Sequence, residues 1–498
     1  MKKFQNFGDK KTITASGLIC LLFVAWAAFF PKTAEKVLSS ILSVFSKDLG
    51  WLYLLVVFGF IIFLLYICCS RYGSIKLGQK DAKPEYSGAS WFFMLFSAGM
   101  GIGLVFWSVA EPMSHYLSPP LLPGGTTAAA KDAMTRTFMH WGLHPWACYA
   151  VVGLALAYFQ FNRKQPALLS SCFIPLVGEK KANGSLGVCI NVLAIVATIF
   201  GVASSLGMGA MQINSGLNYV FGIPYGVIPV IIIIIVISSL FIASSVSGID
   251  RGMKNLSNAN IVVAIILITF VFIEGNTLFS LNFITESAGN YLGALIPASF
   301  WTDTFNEAPG WLGSWTVFYW AWWISWTPFV GGFIARISKG RTIREFIVGV
   351  LLCPTVFCFL FMGIMGGNAI YLDMNGVTNI AAAIDSDVSF ALFALLENYP
   401  LPTFFSILTI ILICAFFITS ADSATLVCAM MTSKGSGDPP TAIKIFWGLI
   451  LSAMAIILLL RGGLTALQSA AIAVALPFAL VCLGLMASLL QALKEDSH

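Results

Sequence analysis

Charged side chains are scarce in this 498-residue chain, where 10% of residues are Asp, Glu, Lys or Arg, against about 25% in an ordinary soluble domain. That shortage excludes a water-soluble enzyme of usual design, a disordered chain and a nucleic-acid binder. Histidine is nearly absent, at four residues. The eleven cysteines show no paired CxxC spacing. Those inside apolar runs, such as Cys20, Cys148, Cys189, Cys353, Cys414 and Cys482, read as small buried hydrophobes, and an odd number so placed makes no disulfide framework. No small-residue cleavage pattern follows the first apolar run at Pro31, so a cleavable leader is not expected. What is present in excess is apolar surface: 58% hydrophobic residues and a mean hydropathy of +0.89. The chain reads as an all-α integral membrane protein.

A helix needs about 20 apolar residues to cross the hydrocarbon. Twelve such runs are present, near 13–30, 51–70, 88–110, 138–162, 186–217, 226–246, 257–279, 311–335, 343–366, 401–430, 442–460 and 465–493. With the N-terminus inside, all but six of the 27 Lys and Arg fall in cytoplasmic segments, the exceptions being Lys32, Lys36, Lys47, Lys131, Arg136 and Arg461. This bias places both termini in the cytoplasm. The largest polar stretches, 111–137 and 280–310, read as outer loops, the second with room for a short interfacial helix.

Three places break the pattern of a span that only has to face lipid. Ser97 to Gly103 holds glycines at 99, 101 and 103 in the middle of the third run, each costing roughly 1 kcal/mol of helix propensity. Close helix packing explains them most simply; an unwound, ligand-facing stretch is the alternative. In the tenth run Thr419, Ser420, Asp422, Ser423 and Thr425 follow a wholly apolar stretch. The neutral hydroxyls suit a hard cation such as sodium, whereas Asp422 reads as a structural acid near the cytoplasmic end. In the eighth run seven tryptophans crowd residues 301–326. Trp322, Trp323 and Trp326 lie too deep for an interfacial belt. Trp315, Tyr319, Trp322 and Trp326 share one helical face, and Trp141, Trp146 and Tyr149 fall within one arc of the fourth run. Electron-rich rings at mid-depth with no nearby carboxylate suit a quaternary ammonium group, which has no N–H to donate. His140 and His144 share metal-ligand spacing four apart, but with no third ligand in sight a structural role for both is preferred and no enzyme is expected. No ring of charged or carbonyl-rich repeats suggests a channel.

The motifs Gly99-Met100-Gly101-Ile102-Gly103 with Glu111-Pro112, His140 to Tyr149, Phe318 to Trp326 running into Arg336 to Phe346, and Ile418 to Ser423 resemble the betaine/choline/carnitine transporter family. The resemblance implies twelve transmembrane helices. Two helices within 1–87 precede inverted five-helix repeats at 88–280 and 311–493, separated by an outer loop at 281–310 and followed by a short tail at 494–498. It implies a substrate cage of Trp141, Trp146, Tyr149 and Trp323 with Trp326 nearby. It also implies a sodium site of the Ser97, Met100 and Phe416 carbonyls with the Thr419 and Ser420 hydroxyls. A second sodium site would use Thr198 with Phe329, but Val202 stands where a further hydroxyl belongs. Asn260, where ion-independent exchangers carry arginine, favours sodium coupling, and Gly103 favours a zwitterion over choline. The expected function is import of glycine betaine or carnitine across the plasma membrane by a homotrimer, with sodium as coupling ion and no other cofactor. Long regulatory tails are absent, which implies constitutive uptake. The alternatives are a sodium-independent carnitine/butyrobetaine-type exchanger, a choline carrier or an amino-acid carrier on the same scaffold.

Overall fold

The structure is a computed structural model that describes residues 9–99, 101–247 and 250–496. Among the described residues the regular structure is helical apart from a single antiparallel bridge between Lys76 and Thr342. In chain order the helices are α1 Lys10–Phe29, α2 Pro31–Lys47, α3 Gly50–Cys69, α4 Gly88–Gly99, α5 Ile102–Leu117, α6 Thr127–Trp141 and α7 Leu143–Phe161. The one-turn helices α8 Ile174–Val177 and α9 Glu179–Ala182 lead into α10 Ser185–Phe221, α11 Val227–Ser247, α12 Asp250–Glu274 and α13 Thr277–Ser299. Then follow α14 Phe318–Ile337, α15 Ile343–Met374, α16 Asn379–Ser386, α17 Ala391–Leu396, α18 Pro402–Thr432, α19 Thr441–Leu460 and α20 Gly463–Glu495.

Ten helical segments among the described residues are long and apolar enough to cross a membrane, and each coincides with one of the twelve expected runs. The two expected runs that fall short do so for visible reasons. Residues 88–110 are split into α4 and α5, each under 18 residues. Residues 311–335 open with a π-helical turn, Gly313–Val317, and are rich in Trp and Tyr, which lowers the hydropathy of α14. α14 sits centrally against α7, α10 and α20. α11 turns Ile228, Ile232, Ile235 and Val236 outward, as a lipid-facing helix does.

Three expectations are corrected. Residues 111–137 are not a loop: α5 runs on through Glu111 and Pro112 to Leu117, and α6 begins at Thr127, leaving only 118–126 irregular. Pro112 fits inside the helix because α15 has Gly366 opposite, where a methyl group would stand 2.4 Å from the proline ring. Residues 277–299 form a helix of 23 residues, longer than the short one expected within 280–310. Third, the fourth run is two helices, broken at Gly142 between α6 and α7, so no single helical arc joins Trp141 to Trp146. A side chain on Gly142 would meet Phe138 O at 2.5 Å. The first free N–H of α7, at Leu143, is satisfied by the Tyr291 hydroxyl of α13 at 3.1 Å. The amphipathic α2, between the first two spans, has no counterpart among the expected elements. All eleven cysteines are unpaired, and Cys189 is exposed rather than buried, with Cys353 and Cys414 partly so.

The end of α20 is tied down. Arg163, just past α7, donates to Asp496 at 2.9 and 3.0 Å and to Glu495 at 2.8 Å, and Tyr158 Oη donates to Asp496. Burial pushes the Asp496 carboxyl up, but the hydrogen bonds from Arg163 and Tyr158 outweigh it and hold it below the usual Asp value. A depressed native pKa contributes stability above the unfolded value of about 3.9, lost as pH falls through the native one. Asp496→Asn is therefore expected to speed amide exchange over residues 488–496 at neutral pH, whereas the wild type loosens there only below about pH 4. Exchange measured by mass spectrometry at both pH values checks this.

Candidate functional site

The aromatic side chains singled out by sequence all point inward. Trp141, at the end of α6, lies edge-on to Trp323 of α14, with ring centroids 5.0 Å apart. Tyr149 of α7 is edge-on to the same ring at 6.3 Å, and Trp146 packs on Tyr149 at 5.5 Å. Trp322 stacks on Trp323 at 4.6 Å and carries the cluster to Trp326 at 6.3 Å. All five expected cage residues are thus in one connected group, each at most 4% exposed. Trp323 is held by its Nε1–H, which donates to the His140 carbonyl at 3.0 Å. Tyr149 Oη and Trp326 Nε1 are buried and have no hydrogen-bond partner among the described residues.

The glycines of the third run serve both readings. Gly101 is extended (φ −149°, ψ −158°) and separates α4 from α5. A methyl group there would lie 3.6 Å from Ser420 Oγ and 3.9 Å from the Trp326 ring, so the break abuts the tenth-run hydroxyls. Gly103 makes room for a neighbour: a methyl group would stand 2.4 Å from Trp322 Cη2. Met100 and the side chain of Ser97 lie outside the described residues. Beside the break is a cavity of about 440 Å³ lined by Ser90, Phe329, Phe333, Thr419, Ser420 and Asp422. Asp422 therefore faces this space. Thr419 Oγ1 donates to the Ala415 and Phe416 carbonyls at 3.0 and 3.2 Å, which leaves its lone pairs available.

Trp322 Nε1 donates to Ser205 Oγ at 3.1 Å, and Gly201 abuts Ser325, so α10 and α14 run antiparallel. One turn further, that register brings Thr198 level with Phe329. The Thr198 hydroxyl donates to Ala194 O at 2.8 Å, which, as at Thr419, leaves its lone pairs available. Asn260 is buried on α12 and is not among the residues lining the cavity.

A family model described as "BCCT, betaine/carnitine/choline family transporter" matches residues 11–498. The chain belongs to this family. Among its relatives, the glycine betaine transporter OpuD of Bacillus subtilis is 49% identical over 95% of this chain and 92% of its own length. A probable glycine betaine transporter of Desulfitobacterium hafniense is 47% identical over 99% and 100%. An ectoine/hydroxyectoine transporter of Virgibacillus pantothenticus is 42% identical over 96% and 95%. Members of the family are transporters, and this chain is a transporter, not an enzyme.

For this family member, two readings of single residues need correction. The cage does have a carboxylate beside it. Glu111 Oε2 accepts from Trp141 Nε1 at 2.6 Å and from Tyr319 Oη at 2.5 Å, and Oε1 lies 2.6 Å from His140 Nδ1. The two histidines also part company at Gly142. His140 turns to Glu111 and to Thr316 Oγ1 (3.0 Å), while His144 bonds Ser299 Oγ at 2.8 Å and stacks on Trp320. Glu111, His115 and His140 place ligand atoms within 4.8 Å of one another. Oε2 is taken up by Trp141 and Tyr319, and within the trio Oε1 bonds His140 and lies 3.4 Å from His115 Nε2, so the three read as a polar cluster. An acid between two apolar runs was the available signal for Glu111, obscured because Pro112 reads as the end of a helix.

Proposed function

We propose that this transporter imports glycine betaine, or a closely similar trimethylammonium zwitterion, by alternating access driven by sodium entry. The observation that carries this reading is the interior meeting of Trp141, Tyr149 and Trp323 beside two unpartnered donors, Tyr149 Oη and Trp326 Nε1. Ring faces attract the methylated cation, and free donors suit the carboxylate at the other end of a zwitterion. The names of the B. subtilis and D. hafniense relatives support the same substrate. For sodium, the support is the approach of the Gly101 backbone to Ser420 beside Thr419, a meeting of broken helix and hydroxyls of the kind secondary transporters use for coupling ions.

Within this reading the broken segment 88–117 and the aromatic helix α14 are the eleventh and twelfth crossings. Residues 88–280 and 311–493 are then the inverted repeats, and three chains associate in the plasma membrane with cytoplasmic termini. The cavity at Thr419 then opens inward. The outer end is closed by Ser215 on Ser389, with Ser389 and Tyr225 both donating to Asp387 at 2.6 and 2.8 Å.

Radiolabelled uptake by the purified protein in liposomes tests the proposal, with betaine, carnitine, choline, butyrobetaine, ectoine and proline presented with and without a sodium gradient. Betaine uptake that rises with the gradient is expected. Uptake indifferent to sodium overturns the coupling, and uptake of another solute with none of betaine overturns the substrate. Thr419→Ala removes one oxygen ligand and should raise the sodium concentration for half-maximal uptake about tenfold.

A further inference from the structure

Glu111 is a fully buried acid that the transport reading leaves unused. Its surroundings define its chemistry. An indole N–H only donates, so the 2.6 Å bond from Trp141 makes Oε2 an acceptor, and the same oxygen takes a second hydrogen bond from Tyr319 Oη. Accepting an indole and a phenol on one oxygen, while Oε1 faces His140 and His115, is the pattern of a carboxylate. Both donor rings then turn toward Trp323, Trp141 at 5.0 Å and Tyr319 at 5.7 Å. Glu111 therefore grips the outer edges of two rings whose other sides face the cage.

A hydrogen bond donated from a ring's edge to an anion moves electron density onto the ring face, and hydrogen bonds polarise one another more strongly where the dielectric is low. The attraction of a cation to an aromatic face depends on that density. A carboxylate set one ring's width away also draws a cation without contacting it, so the guest keeps its aromatic surroundings and forms no ion pair.

We propose that Glu111 is a positioning residue that fixes Trp141 and Tyr319 and, through the hydrogen bonds they donate, enriches the cage faces for a quaternary ammonium guest. This deepens the betaine reading and rests on it. The test compares two ligands of one shape. Betaine and 3,3-dimethylbutanoate differ by replacement of the ammonium nitrogen with carbon, so only the first carries a positive charge. Binding of each to the purified protein is measured by equilibrium dialysis for wild type, Glu111→Gln, Glu111→Asp and Tyr319→Phe.

The expected result is a loss of about tenfold or more for betaine in Glu111→Gln, with no loss for 3,3-dimethylbutanoate, an anion that has no cationic head for the ring faces to hold. Glu111→Asp should regain part of the loss, and Tyr319→Phe, which keeps the carboxylate and removes one donor, should show a smaller loss specific to betaine. Equal losses for both ligands, or unchanged betaine binding in a folded Glu111→Gln protein, overturn the proposal. Failure of the wild type to bind betaine overturns the transport reading itself and is seen before any variant is compared.

Discussion

Trp323→Leu is expected to weaken glycine betaine binding by about 30-fold, the equivalent of the roughly 2 kcal/mol that a desolvated cation–π contact supplies. The reason lies in the position of this ring, which meets Trp141, Tyr149, Tyr319 and Trp322 and so forms part of every side of the cluster. Leucine fills much of the volume but presents no negative face. Trp323→Phe keeps a face and loses only the hydrogen bond to His140 O, so most of the affinity should survive. Trp311→Leu is the contrast. Trp311 packs against the Arg136 guanidinium at 4.6 Å and against Trp301, on the outer flank of the network. Its replacement should change betaine affinity by less than about twofold. Intrinsic fluorescence titration of the three purified variants separates these outcomes, and a Trp311→Leu protein as impaired as Trp323→Leu would refute the cage assignment.

The second large effect is expected at Gly103. A methyl group there would stand 2.4 Å from Trp322 Cη2, and the indole has little freedom to retreat. It is stacked between Phe318 and Trp323 and fixed through Nε1 to Ser205. Overpacking of this kind costs about 1–3 kcal/mol, so Gly103→Ala should fold yet transport at least about tenfold more slowly. Trp322→Phe removes the outer ring atoms that collide and should restore much of the rate in the double variant. Uptake rates for the two single variants and the double variant form a cycle, and purely additive losses would show that Trp322 is not the obstacle.

Apolar run length and the tryptophan pattern carried most of the fold and of the aromatic cluster, because both are local properties. Among the described residues ten helical segments coincide with runs read by length alone, and Trp141, Trp146, Tyr149, Trp323 and Trp326 lie in one buried group. What stayed illegible depends on partners far away in sequence. Glu111 and Pro112 read as the edge of a loop, since nothing local reveals that Gly366 makes space for the proline or that Trp141 and Tyr319 satisfy the acid. His140 and His144 read as neighbours on one face because the bend at Gly142 is sustained by Tyr291, about 150 positions downstream. The glycines of the third run were ambiguous for a related reason. Break and close packing have the same composition, and the structure uses Gly101 for one and Gly103 for the other.

The bend at Gly142 has one more effect. The last carbonyls of a helix have no partner within it, and by ending α6 where it does the chain leaves the His140 oxygen to receive the Trp323 indole. The anchor of the central ring is thus a main-chain atom, which no side-chain replacement at 140 deletes. Replacement of the side chain at 140 is therefore expected to leave the bearing of the ring unchanged.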